Sequence, residues 1–360
     1  MGTVVFAVYF FCAARPIPLE TVLVPRWLNS LEYGKPVYLG DAPAEAGEDE
    51  EYDEGSLVPF ELGSRFGYFD RDGRFAINQA KKANVSLSPQ RWAEYDSEPD
   101  RITVNSPGGE ALAVIENPRG YPFFLNGKTF VVNSEQNAIS AIDDSGSPLW
   151  QYEFASPLTC VDSAADLVLA GSLDGVAGVL DSSGRQVFSF EPGGSRYSII
   201  LGCAISRDGS KLALISGIDD QRFLLLERFG NSASDYKVVY HEFLGSDYRR
   251  PVYISFIEDD RWIVFERDGG LGFFELGSRL SGKVELDGEL SAIDHSGGQG
   301  LLFAVVSRPQ NARELIGIRL PDRLIIKAPF KSGEVFLGRH DSRLFAGGKQ
   351  TLISFDLEKR

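Results

Sequence analysis

Cysteine, histidine and methionine are scarce in this 360-residue chain, at three, three and one. Three cysteines cannot build a disulfide framework. Cys12 lies in an apolar run near the amino end. Cys160 and Cys203 read as small buried hydrophobes at equivalent places in successive repeats, about 10 Å apart and so too distant to link. His241, His295 and His340 are scattered, and no two have metal-ligand spacing. Base is also in deficit. Lys and Arg number 36 against 51 Asp and Glu, a net charge of −15, which repels phosphate backbones and argues against nucleic acid as a partner. There is no Gly-x-Ser-x-Gly elbow, Walker loop or dinucleotide fingerprint. The glycine clusters at Gly269–Gly272 and Gly297–Gly300 fall in hairpin turns, without a following helix to aim amides at a phosphate. Asp70-Arg71-Asp72-Gly73 lacks the repeated acids of a calcium loop and reads as a hairpin turn. No catalytic residue, cofactor or metal is therefore predicted, and the pattern points away from an enzyme.

Long apolar runs and capped helical periodicity are missing as well. The run from Val4 to Ala14 is too short to span a bilayer but has the length of a signal-peptide core, with small residues at Cys12 and Ala14. It predicts export or membrane anchoring through residues 1–14, with a cytoplasmic location as the alternative. Residues 15–56 read as a linker, proline-rich and then acidic. Residues 41–55 hold eight acids and no base, the composition of a solvated tether.

What the chain does have is repetition. Apolar runs follow turns at Lys128–Val132, Asp166–Ala170, Lys211–Ile215, Arg261–Phe265, Gly300–Ala304 and Arg343–Gly347. A second run follows each, at Ile139–Asp143, Val176–Asp181, Phe223–Glu227, Leu271–Glu275, Leu315–Arg319 and Leu352–Asp356. The period is roughly 40 residues, that of a β-propeller blade. Turn pairs such as Asp174-Gly175 and Asp208-Gly209 supply the positive φ of hairpins. The expected fold is all-β, a single propeller over residues 57–360. Six clear copies plus a less regular region at 62–122 favour seven blades, with six or eight as alternatives. A strand near residues 58–70 is expected to complete the last blade and remove its open edge.

The turns carry a family resemblance. Ala141-Ile142-Asp143-Asp144-Ser145-Gly146-Ser147-Pro148-Leu149-Trp150 resembles the repeat of quinoprotein-like propellers, and Val179–Phe188 is a second copy with Phe in place of Trp. Ala204–Ala213 is similar to the Asp-Gly turn of WD40-like and TolB-type propellers, with Arg207 where those have Pro, and Ala292–Gly298 is a looser copy. The resemblance covers residues 100–356. It implies the fold, and a relationship to exported scaffolds of envelope assembly as well as to quinone-dependent dehydrogenases.

If strand order in a blade runs from inside to outside, as in that family, blade-to-blade loops share one face with the loops between second and third strands. That face collects Arg196, Tyr197, Asp219, Asp220, Tyr248, Arg249, Arg250, Asp268 and Arg308. Arg and Tyr are favoured at binding hot spots. The expected function is a non-enzymatic interaction or scaffold protein of the cell envelope that binds protein partners through these loops. Reversal of Arg249 and Arg250 is expected to leave stability unchanged. The alternative is a propeller enzyme or small-ligand sensor with its site in the central channel.

Overall fold

Short β-branched and aromatic runs separated by Gly and Asp turns can bury both faces only by stacking sheet on sheet, and the structure does this around a ring. The computed structural model describes residues 21–39, 52–230, 232 and 234–359. The apolar run at 4–14, with Cys12, and most of the acidic stretch lie outside the described residues. The described chain is strands and turns, with one short 3₁₀ turn at Glu54–Ser56.

Eight antiparallel sheets form, each a blade. Blade 1 has three strands (Val58–Leu62, Arg65–Phe69, Phe75–Ala80) and blade 2 has four (Asn84–Leu87, Trp92–Tyr95, Arg101–Asn105, Ala111–Glu116). Blades 3 to 7 are four-stranded and begin at Gly120, Leu158, Ile200, Ile254 and Glu289. Blade 8 begins at Phe336 and continues through Arg343–Gly348 and Thr351–Lys359. The repeated runs at 128–356 are the second and third strands of blades 3 to 8.

The expectation of seven blades is corrected to eight. The less regular region, expected to hold one blade, holds two. They fit because blade 1 omits a strand, so Val58–Leu62 takes the innermost place, packed against the first strands of blades 8 and 2.

The closing strand also differs from expectation. Thr21–Ser30 pairs antiparallel with Thr351–Lys359, from Thr21 opposite Lys359 to Ser30 opposite Thr351. Pro36–Tyr38 adds outside it. Residues 21–38, inside the stretch expected to be a linker, thus supply the fourth and fifth strands of blade 8, while 58–62 is already used by blade 1. Trp27 anchors the closure. It is 1% exposed, its ring lies 5.8 Å from Phe69 and 5.9 Å from Phe345, and its indole N–H donates to the Arg71 carbonyl at 2.9 Å. Asp356 bridges the seam, accepting from Arg26 at 2.6 Å and from Arg343 at 2.8 Å.

One packing device recurs. Gly184 (φ +77°) lies so near Trp150 of the preceding blade that a Cβ would come within 2.7 Å of the ring. Gly73 (φ +85°) stands the same way over Trp27, at 2.8 Å. A side chain at either glycine would be strained by φ and would strike an indole. Asp181 and Asp70 each accept two backbone amides inside those turns, which fixes the turn that brings the glycine down.

Candidate functional site: the loop face and the channel

First strands of neighbouring blades pack on one another, so they are innermost. Strand order then runs outward in every four-stranded blade. This puts the blade 4–5 connection (191–199), the blade 5 loop (217–221), the blade 5–6 connection (244–253), the blade 6 turn at Asp268 and the end of Leu301–Arg308 at one end of the ring, here called the loop face.

These residues divide into two groups. Arg250 is held in place: its guanidinium grips Glu266 with two bonds, at 3.0 and 2.6 Å, and stacks 4.7 Å from the Tyr248 ring. The Glu266 side chain is only 5% exposed, and this hydrogen-bonded carboxylate raises the Arg250 pKa. Removing the arginine would strand a buried charge, so Arg250 belongs to the scaffold and its reversal is not a neutral surface change. Tyr248 is half-buried. Its hydroxyl donates to the Arg267 carbonyl at 3.4 Å, and its own carbonyl accepts from the buried Gln221 amide. Burial first, then the Glu266 charge, raises its pKa. Arg308 is tied to Glu314 at 2.9 Å and to the Asp287 carbonyl at 2.6 Å. Asp219 accepts from the Ser195 hydroxyl, which holds its pKa below the usual range, and also from the Arg196 amide at 3.3 Å. The backbone amide of Asp268 donates to the Ser246 hydroxyl at 2.8 Å.

The second group is presented outward. Tyr197 is 53% exposed, with the Arg196 guanidinium 5.5 Å from its ring. Arg249 and Asp220 are exposed, and neither side chain has a hydrogen-bond or ion-pair partner among the described residues. The 191–199 loop that carries Tyr197 is fixed from below, because Gly175 packs its α-carbon against the Ser198 carbonyl, where a Cβ would overlap the oxygen. The structure therefore joins blades 4 to 6 of the predicted face into one surface. Arg308 lies on blade 7, next to blade 6, and is committed to its own ion pairs.

Sequence reasoning missed two features. The first is a groove of about 960 Å³ on the same face, between blades 2 and 3, floored by Ile115, Val131 and Ile142. Two hollows near 700 Å³ lie at the opposite end of the ring. The second is a polar cluster on the innermost strands. Asp162 accepts the Ile205 and Ser163 amides at 2.9 and 2.8 Å. Asp294 accepts from the Ser296 amide and hydroxyl at 3.1 and 2.9 Å. Burial raises the pKa of both carboxylates and lowers that of His295. Ser255 lies 3.5 Å from His295 Nε2. The Tyr253 hydroxyl is buried beside Ser255; burial raises its pKa, Ser255 opposes that rise, and the charges of Asp294 and Asp162 add to it. The signal available beforehand was a carboxylate inside an inner strand, at Asp162, where apolar residues are the rule. No group of three or more metal-ligating side chains occurs among the described residues.

The cysteines remain free, as expected. The bulges of their strands align Cys160 with Gly202 and Cys203 with Val161, one place out of step. Their side chains turn toward each other across the blade 4–5 interface. The Cys160 thiol, followed by burial, raises the Cys203 pKa.

A family model described as beta-propeller protein matches residues 1–360. An uncharacterized protein of Treponema pallidum (strain Nichols) is 30% identical over 238 residues, 66% of this chain and 61% of the relative. The chain thus spans about three fifths of that relative's length. Among solved structures, the computationally designed Ika8 protein is similar with a TM-score of 0.62 at 15% identity, over 84% of this chain and 93% of that one. BamB from Moraxella catarrhalis gives 0.55 at 13%, over 93% and 100%. The Cps50 (Swd1) β-propeller domain of Myceliophteria thermophila gives 0.51 at 12%, over 70% and 91%. At these identities the likeness is one of fold.

Proposed function

Because this chain belongs to the β-propeller protein family, we propose that it works as a non-enzymatic interaction platform of the cell envelope, engaging protein partners through its loop face. The Gly-turn repeats at 141–150, ending in Trp, and at 179–188, ending in Phe, support a place beside the quinoprotein-like and WD40-like (TolB-type) propellers within that family. The observation that carries the reading is the division among the loop residues. Tyr197, Asp220 and Arg249 have no evident task in the fold, yet loops pinned by Arg250–Glu266, Gln221 and Gly175 hold them in fixed positions. Rigid aromatic and arginine side chains on a preorganised surface bind at low entropic cost. The apolar run at 4–14 supports export or membrane attachment. The ring-closing strand starts downstream of it, at Thr21, so either fate of that run leaves the closure whole.

The test is cross-linking in the native envelope. Tyr197→Ala combined with Arg249→Glu should lose the partner adducts while the melting temperature stays that of the parent. Adducts recovered at the parental level would remove this face from consideration. A second reading, a small ligand in the channel, is favoured by the buried polar cluster of Tyr253, His295, Asp162 and Asp294 on the inner strands. A melting temperature that rises with a polar metabolite in the parent but not in Tyr253→Phe would support it.

A further inference from the structure

The groove between blades 2 and 3 also opens on the loop face, and its chemistry is unlike that of the Arg and Tyr loops of blades 4 to 6. Its base is mixed: the buried Ile115, Val131 and Ile142, from three different strands, line it together with Ser140 and Gln151. Its rim is acidic. Glu98, Asp100, Glu116 and Glu135 line it against a single arginine, Arg119, and all five are exposed. Little of that charge is neutralised from within. Glu116 meets Arg101 at a loose 3.5 Å, with both side chains exposed, and Glu135 accepts only from Asn133 and Ser134. The carboxylates of Glu98 and Asp100 have no partner among the described residues.

Shape adds a second constraint. Lining residues run from Ser134 and Glu135 in a loop-face turn to Pro148 at the start of Pro148–Glu153. The groove therefore follows the height of a six-residue strand, roughly 20 Å at about 3.3 Å per residue. Its volume is that of a ligand-sized site, but the outline suits a chain laid lengthwise better than a compact molecule. An extended segment alternating apolar and cationic residues would set one row of side chains on the isoleucines and valine of the base. The other row would meet the carboxylates of the rim.

We infer that this groove is the seat for an extended lysine- or arginine-bearing segment of a partner protein. This rests on the platform reading and names the chemistry recognised in one part of the loop face. Four carboxylates around the groove also raise the local concentration of cationic chains and speed their capture, a contribution that salt screens.

The probe is a fluorescein-labelled octapeptide of alternating lysine and valine, compared with its glutamate–valine counterpart by fluorescence anisotropy on the full chain. The lysine peptide should bind, and binding should weaken as salt rises from about 50 to about 300 mM. Glu98→Lys with Asp100→Lys should weaken it by about tenfold or more; both residues are exposed and unpartnered, so the fold tolerates the change. Arg249→Glu, on the far loops, should bind the peptide as the parent does. No binding of the lysine peptide, equal binding of the glutamate peptide, or an affinity for the double variant within about twofold of the parent would overturn the assignment. If the peptide ignores the groove while Tyr197→Ala with Arg249→Glu still loses partner adducts, the platform stands and the groove falls. If the groove variants alone lose both, the partner is held here and not on blades 4 to 6.

Discussion

Replacing Trp27 by alanine tests the ring closure at its most loaded point. The indole is 1% exposed, touches aromatic rings from blades 1 and 8, and donates a hydrogen bond to Arg71. Truncating a buried aromatic of this size costs about 3–5 kcal/mol, transfer and cavity together. Here the cavity cannot collapse easily, because its walls are two sheets fixed by their own ladders. A loss of that size is a large share of the about 5–15 kcal/mol that holds an ordinary domain. With about 2 °C lost per kcal/mol in a chain of this length, the melting temperature should fall by roughly 6–10 °C. The assay is urea and thermal unfolding by far-ultraviolet circular dichroism, which does not depend on the tryptophan removed. Tyr33→Ala, at a residue 78% exposed in the turn beyond the strand, is the control and should stay within about 0.5 kcal/mol. A chain beginning at Ser56 would lose the whole closing strand and bare the edge of Thr351–Lys359, so it should aggregate or melt without cooperativity. A Trp27→Ala loss below about 1 kcal/mol, or an unchanged urea midpoint for the shortened chain, would refute this account of the closure.

Three further outcomes are expected. Arg250→Ala should cost about 1–3 kcal/mol, discounted for the half-exposed guanidinium, because Glu266 is left buried and unpaired; Arg249→Glu, one residue away, should change the urea midpoint by less than about 0.5 kcal/mol. Burial alone would raise the Asp356 pKa, but the hydrogen bonds and charges of Arg343 and Arg26 outweigh it and lower the net value. The stability it contributes is therefore present at neutral pH and lost as pH falls through the depressed folded pKa, so Asp356→Asn should cost about 1–2 kcal/mol at neutrality and progressively less in strong acid when unfolding is followed against pH. Native alkylation with iodoacetamide, read by mass spectrometry, should modify half-buried Cys160 before Cys203, whose thiol is 6% exposed and raised in pKa; faster labelling of Cys203 would contradict the packing of the blade 4–5 interface.

The second and third strands of blades 3 to 8 were legible because each is an apolar run bounded by Gly or Asp turns, and the family resemblance supplied the strand order that decides which loops share a face. The blade number was not. Blade 1 has no separate inner strand, so its residues carry one repeat signal too few. Nor was the closing strand, since Thr21–Ser30 sits among prolines beside an acidic stretch and has no copy next to it. A clue was present nonetheless. Trp27 stands to Gly73 as Trp150 stands to Gly184, and Asp70 organises its turn as Asp181 does. Reading that pair would have put residue 27 on an outer strand. In the candidate site, residue type alone could not separate Arg249 from Arg250. The difference is Glu266, sixteen positions away from Arg250 and buried beneath it.

The direction of the closing strand decides how the ring would hang. Ser30 ends beside Thr351, next to the loop-face turn at Lys349 and Gln350, whereas Thr21 begins beside Lys359 at the other end of the ring. The first described strand therefore begins at the end of the ring opposite the loop face. Only six residues separate Thr21 from the apolar run at 4–14, at most about 20 Å of extended chain. A bilayer holding that run beneath that end of the ring would turn Tyr197, Arg249 and the acidic groove outward. They would then be open to partners arriving from the aqueous phase and closed to contact with the membrane that tethers them.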